Sequence, residues 1–445
     1  MKKKDVLIIG SGLAGLACSL ELLEAGRGVQ ILEAKDHLGG RTSSWIEDGM
    51  EVESGLHRVL GIYQAFPAFL KKAGLEIDEL VSWGDEVEIR LPDRGHRGVF
   101  GLSPLHRPLK TVYSFLGNNL FLNPLDKLRL SRFFRAGLKD HRRRPGYLDS
   151  LAVSEYAKKW QVGEEVLFHF LTPLSAGIFF LPPEKFSAFA FFSLLEPVFS
   201  RFMRNRVGAF VGGMTDVLAD PVAQAIRRKG GRILTGLKVE KLLLDKDGRM
   251  AGISAGKKEI RAGQVVLAVD LGSAQRLVRR SFGSHSWFKP MLELPTMPAA
   301  TLQLELFGPA LKNDRPTFGP GTALSSFAEQ SRTTFKDAWG RLSAILSPPD
   351  RFLNQAPNRI FQEFYQDAQR LDLKVVNNIK EYRAILHPEE FYSLSPGNQS
   401  LRPSQTTPIE GLVLAGDYTA QEFLTTMEGA VISGERAAAA ILGKD

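Results

Sequence analysis

Six residues, GSGLAG at 10–15, stand between an apolar run and a helical pattern, and few other arrangements constrain a fold as tightly. The run at 5–9 reads as a buried strand, and the pattern from 13 to about 25 reads as a helix. A second apolar run, VQIL, then ends in Glu33, so residues 5–34 read as β–α–β. Gly10 permits the tight turn, Gly12 lets backbone approach a diphosphate, and Gly15 allows close helix–strand packing. The anion then sits at the helix N-terminus. Glu33 falls 18 residues after Gly15, where a carboxylate accepts hydrogen bonds from a ribose diol. Its charge repels a 2′-phosphate, which disfavours NADP.

At 445 residues the chain exceeds one ordinary hydrophobic core, so two or more domains are expected. Pieces of the same nucleotide fold recur downstream. Residues 212–236 read as a helix (about 214–228), a Gly-Gly turn and a short strand, and 259–269 close with a buried strand. GLVLAG at 411–416 supplies another strand before a C-terminal helical pattern. The expected division is therefore a discontinuous dinucleotide domain over 1–75, 209–290 and 406–445, with a second domain from 76–208 and 291–405. Alternation such as TLQLELF at 301–307 predicts an antiparallel sheet in the latter.

Composition excludes several classes. With 44% hydrophobic and 24% charged residues the chain reads as globular, and no uncharged segment makes a credible transmembrane helix or signal peptide. One cysteine, Cys18, allows no internal disulfide and suits a reducing compartment. No metal-ligand spacing, nucleophile triad or paired catalytic carboxylates stand out, so no metal, acid or base is assigned. The net charge of +8 is uneven: between Arg94 and Arg144, twelve Lys/Arg meet two acids, a local +10. Within it, Leu125, Leu128, Phe133 and Phe134 alternate with Lys127, Arg129, Arg132 and Arg135, which suits a helix lying among lipid headgroups. A basic helix packed on its own core is the plainer alternative. Nucleic-acid binding is not expected, because the insertion lacks a reading-head pattern. The aromatic run at 186–202 reads either as core or as the lining of an apolar tunnel.

Two further motifs bear on the cofactor. EAKDHLGGRTSSW at 33–45 places Gly39, Gly40 and Arg41 soon after the acid, and this doublet resembles the extended dinucleotide motif of the FAD-dependent amine oxidase superfamily. There the glycines bring backbone near the diphosphate, and Arg41 could add charge. At the other end, Gly416 and Asp417 follow a buried strand, and the aspartate can bind a hydroxyl of a ribityl chain. The last helix, beginning near Met427, points amides toward a reduced flavin ring. Glu428, at the head of that helix, is the nearest candidate for an acid or base, with an ordinary helix N-terminal acid as the plainer reading.

The C-terminal stretch at 402–434 is similar to the signature of plant- and cyanobacterial-type phytoene and zeta-carotene desaturases, and VESGLHRVLGIYQAFPAFLKKAGL at 52–75 resembles the segment after their first βαβ unit. LTPLSAGIFFLPPEKFSA at 171–188 is similar more loosely, while 76–150 and 270–400 are only generally alike. The family usually has alanine at the position of Ser11 and often lysine at that of Arg41; neither change disturbs a backbone-mediated phosphate site. The resemblance implies an α/β fold: a doubly wound, Rossmann-like FAD domain with an α+β substrate domain carrying a helical, membrane-facing insertion. It implies FAD contacts at Ser11, Glu33, Ala34, Arg41, His57, Arg58, Asp417 and Met427, with Val239 near the adenine and Thr425 near the substrate.

The implied reaction is desaturation of a lipophilic isoprenoid hydrocarbon by hydride transfer to FAD. A cytoplasmic protein attached peripherally to a membrane is expected, with a quinone or oxygen as electron acceptor. The alternatives are a squalene-pathway flavoprotein, an amine or protoporphyrinogen oxidase of the same superfamily, and a flavin-binding scaffold without catalysis.

Overall fold

The structure, a computed structural model, describes residues 5–93, 95–102, 122–283 and 285–443. The run at 5–9 forms the strand Val6–Ile9 at the centre of a five-stranded parallel sheet. Its order is Arg232–Leu234, Val29–Leu32, Val6–Ile9, Val265–Leu267, Leu412–Leu414. Every neighbouring pair is parallel. These strands are apolar at consecutive positions because both faces are covered. Val6, Ile8, Ile31 and Val266 enter one core with Leu16, Leu20 and Val431 of the first and last helices. Leu7, Ile9, Leu32 and Leu267 enter another core with Leu277 and Val278 of the helix Leu271–Phe282. The first helix, Leu13–Glu24, and the last, Met427–Leu442, approach closely: a Cβ on Gly434 would lie 2.2 Å from the Ala14 carbonyl oxygen.

The segment 259–269 does more than close with one strand. Lys258–Arg261 belongs to a small antiparallel sheet with Lys241–Leu244 and Met250–Ala255, and only Val265–Leu267 joins the parallel sheet.

The sheet expected from the alternation at 301–307 is present and larger than 291–405 alone supplies. Its order is Ile379–Tyr392, Thr296–Leu306, Gly340–Leu346, Leu324–Glu329, Thr317–Phe318, Glu86–Arg90, Arg97–Gly101. All pairs are antiparallel except Thr317–Phe318 with Glu86–Arg90. The alternation there does not mean a solvated face. Thr301 and Gln303 are buried, because the hairpin strand Met50–Glu53 packs over them. Gln303 accepts from the Glu53 amide at 3.1 Å and donates to its carbonyl at 2.6 Å. A polar position thus joins the cofactor-side hairpin to the large sheet.

The basic segment forms the helix Pro124–Arg143, begun by a reciprocal cap between Asn123 and Asp126; the part at 103–121 lies outside the described residues. Of its four apolar positions, only Leu125 and Leu128 face outward, 52% and 48% exposed. Phe133 is wholly buried and Phe134 is packed on Phe199, so this half of the helix packs on the protein's own core. The helical pitch explains it: positions 133 and 137 lie over the helix Ala188–Ser200, where Gly137 leaves room for the Phe192 ring. In the aromatic run at 186–202, Phe186, Phe191 and Phe192 are core and Phe199 and Phe202 are exposed. Among the described residues, no helix is long and apolar enough to cross a membrane.

Candidate cofactor site

The glycine loop has one closed side and one open side. Gly10 has φ +103°, and a Cβ there would meet the Ala268 carbonyl oxygen at 2.5 Å. A Cβ on Gly15 would meet the Gly10 carbonyl oxygen at 2.2 Å. Gly12 differs, since nothing lies within 4 Å of its missing Cβ. It caps the first helix with no side-chain hydrogen bond, so the start of that helix faces an open cradle. Gly39 and Gly40 pack directly against it. The Gly39 amide donates to the Ser11 carbonyl at 3.2 Å, and a Cβ on Gly40 would sit 3.2 Å from the Gly12 Cα.

Glu33 stands at the cradle's rim, with one carboxylate oxygen accepting from the Ser11 amide (2.9 Å) and hydroxyl (2.7 Å). The other oxygen accepts from the Lys35 amide at 3.0 Å. Ala34 is exposed beside it. The Leu237 amide donates to the Glu33 carbonyl at 2.8 Å, which brings Val239 alongside; Val239 is buried in the connection between strands rather than within one.

The other end of the chain closes on this loop. Gly416, at φ +142°, leads to a nearly buried Asp417, whose carboxylate accepts a two-pronged ion pair from Arg41. Burial opposes the Arg41 charge, but Asp417 outweighs it and holds the guanidinium pKa above its ordinary value. Thr425 is left-handed at φ +49°, strained for a β-branched residue, and its buried hydroxyl meets no hydrogen-bond partner among the described residues. Met427 begins the last helix, whose Thr426 cap accepts from Gly429 at 3.1 Å.

Two contacts were not legible as site features. The Arg402 guanidinium, at the head of the quoted C-terminal stretch, donates to the carbonyls of Asp417, Tyr418, Thr419 and Gln421 and so holds the loop after Gly416. Glu428 is no ordinary first-turn acid. It is buried and accepts from the amides of Gln64, Ala65 and Phe66 at 2.7, 2.9 and 2.8 Å, capping the helix Ala65–Lys72.

His57 and Arg58 part company. Burial, with the Arg41 charge adding, pushes the His57 imidazole down to about 4, so it is neutral at pH 7. The Arg58 guanidinium pairs with the buried Asp314 at 3.0 Å, which also accepts from Thr333. Its side chain is therefore engaged on the large-sheet side, which leaves its backbone for the implied cofactor contact. Beyond Arg41 lie Asp270, Phe391 and Glu390, with the Arg41 guanidinium 5.3 Å from the Phe391 ring centroid. Among the described residues, no partner meets His57 Nδ1, His387 Nε2, Tyr392 OH or Tyr418 OH, all buried. An open glycine cradle, an uncapped helix start and unpaired buried polar atoms at the far end fit a long dinucleotide with a polar ring system.

This fold and site define a flavoprotein of the dinucleotide-binding kind. The chain belongs to the flavin containing amine oxidoreductase family, whose profile matches residues 13–442. It is an FAD-dependent oxidoreductase. It is 25% identical to the 15-cis-phytoene desaturase of Synechococcus elongatus, over 99% of this chain and 96% of the relative. It is 27% identical to the zeta-carotene desaturase of a Synechocystis species, over 98% and 97%. An oxidoreductase of Methanosarcina mazei shares the fold at TM-score 0.73 and 18% identity, covering 97% of this chain and 98% of that one. A putrescine oxidase shares it at TM-score 0.74 and 18% identity, covering 99% of each.

Proposed function

We propose that the protein desaturates an isoprenoid hydrocarbon of the phytoene or zeta-carotene type. The observation that carries this reading is likeness to curated desaturases of both substrates along 98–99% of the chain. In this reading, residues 1–75, 209–290 and 406–445 form the FAD domain, and 76–208 and 291–405 the substrate domain. Gly10, Ser11, Gly12 and Gly15, with Gly39, Gly40 and Arg41, hold the diphosphate, and Glu33 and Ala34 meet the ribose. Val239 lies by the adenine. His57, the Arg58 backbone, Gly416, Asp417 and Met427 meet the flavin half, and Thr425 faces the substrate.

FAD, when bound, supplies the hydride acceptor. The chain's own part is to orient the hydrocarbon, exclude water and stabilise developing negative charge with the amides at the start of the last helix. Neutral His57 suits this, since it adds no cation beside an apolar substrate. Glu428 is set aside as a base because three amides engage its carboxylate. Leu125 and Leu128, standing among Lys127, Arg129 and Arg132, support docking on an anionic membrane surface from the cytoplasmic side, from which the substrate enters. A quinone or oxygen would be the electron acceptor.

Expression in cells that accumulate phytoene, zeta-carotene or squalene, with chromatography of the extracted lipids, tests the reading. A new, longer polyene chromophore is the expected outcome. Unchanged polyenes together with flavin bleaching by a primary amine would move the protein to amine oxidation. A flavin that no lipid or amine reduces would make it a scaffold.

A further inference from the structure

Glu390 comes from the long strand Ile379–Tyr392, an edge of the large sheet and far in sequence from every glycine of the cradle. Arg41 keeps 28%, His387 24% and Glu390 11% of its side-chain surface accessible, yet desolvation is a dominant influence on both Arg41 and Glu390. Such groups lie in a space largely withdrawn from bulk water. His387 Nδ1 stands 3.6 Å from a Glu390 carboxylate oxygen. Phe391 lies against the Arg41 guanidinium, fixing the end of the strand beside it.

The charges in this space are unbalanced. Arg41, from the loop after Gly39–Gly40, is the permanent cation acting on Glu390, and Arg402 lies nearby over the Tyr392 ring and on the Asp417 carbonyl. Facing Arg41 are Asp417 after the last strand of the parallel sheet, Asp270 at the cap of the helix Leu271–Phe282, and Glu390 itself. His57, His387 and Tyr392 are further titratable groups there, with the Tyr418 hydroxyl near Asp270 and Asp417. A dianionic diphosphate at the Gly12–Gly40 cradle adds two charges of the same sign beside Arg41 and competes with Asp417 for its guanidinium. Like charges in a desolvated space raise the affinity of a carboxylate for a proton.

We propose that Glu390 belongs to the cofactor site and takes up a proton from solvent when FAD binds. This rests on the reading that the glycine cradle holds the FAD diphosphate. Burial already lifts the Glu390 carboxyl above its ordinary range, with Asp270 and Asp417 adding to the rise and His387 and Arg41 opposing it. A proton gained on binding makes FAD affinity fall as pH rises between the free and bound values, by up to about tenfold per pH unit for one proton. FAD itself has no group titrating between pH 5.5 and 8.5, so a slope there belongs to the protein.

The full-length protein, stripped of flavin, is titrated with FAD at constant ionic strength from pH 5.5 to 8.5, following flavin fluorescence. Calorimetry at one pH in two buffers of different ionisation heat counts the protons. Affinity that weakens with pH and a net uptake between zero and one proton are expected. Glu390→Gln should flatten the slope and abolish uptake, while Glu389→Gln, on an exposed neighbour paired to Arg276, should leave both intact. Should E390Q lose FAD altogether, E390D should bind and keep the uptake. Buffer-independent heat in the wild type, or uptake unchanged in E390Q, overturns the proposal. Absence of FAD binding at every pH would instead overturn the flavin assignment.

Discussion

Gly12 and Gly15 are the same residue type three positions apart, yet they answer to different constraints. A Cβ on Gly15 would collide with the Gly10 carbonyl at 2.2 Å, whereas one on Gly12 meets nothing within 4 Å. Gly12→Ala should therefore leave stability of the flavin-free protein within about 0.5 kcal/mol of wild type while weakening FAD binding strongly. Gly15→Ala should cost about 1–3 kcal/mol through a forced backbone shift. Urea unfolding of the flavin-free proteins, with FAD titration of each, checks the pair; equal loss of stability in both would refute the assignment. At this scale the glycines and Glu33 were legible because their spacing encodes backbone geometry. The Arg41–Asp417 pair was not, since its partners lie 376 residues apart and each was read separately as a cofactor contact. The Arg58–Asp314 pair was hidden for the same reason, since only the fold brings that aspartate near.

Among elements, the helix Pro124–Arg143 shows what a periodic pattern does and does not convey. Its existence followed from composition, but which apolar residues face outward depended on where Phe192 fills the notch at Gly137. With Leu125 and Leu128 exposed, the double variant L125E/L128E should fold with unchanged thermal stability and lose most of its cosedimentation with anionic lipid vesicles. Retained cosedimentation would remove this helix from the membrane contact. Glu428 carries the same lesson at a helix end: its place in a first turn was readable, but the amides it caps belong to another helix, 362–364 residues earlier.

Across the whole molecule, the hairpin strand Met50–Glu53 and the large mixed sheet meet at Glu53 and Gln303. Glu53 is buried, bonded to Gln330 at 3.0 Å with its second oxygen unpaired, and burial pushes its carboxyl up to about 7 despite Gln330 and Arg58. The native state thus holds this proton more tightly than an unfolded glutamate. Its stabilising contribution is complete below the ordinary value of 4.5 and is lost as pH rises through about 7. Glu53→Gln should therefore be more stable than wild type at pH 8, by about 1–3 kcal/mol, with the difference vanishing near pH 5. Denaturant melts at the two pH values decide it.

By itself the sequence determined the nucleotide fold, its cofactor type and the order of its segments, because a diphosphate-binding loop demands small residues at fixed local spacing next to a strand and a helix. Local geometry of that kind is written in neighbouring residues. Only the tertiary structure decided which charges pair across the site, which face of the basic helix is free, and that a strand from the large sheet delivers Phe391 onto Arg41. Those outcomes depend on burial and on contacts hundreds of residues apart, where desolvation, rather than residue type, sets what a carboxylate or a guanidinium does.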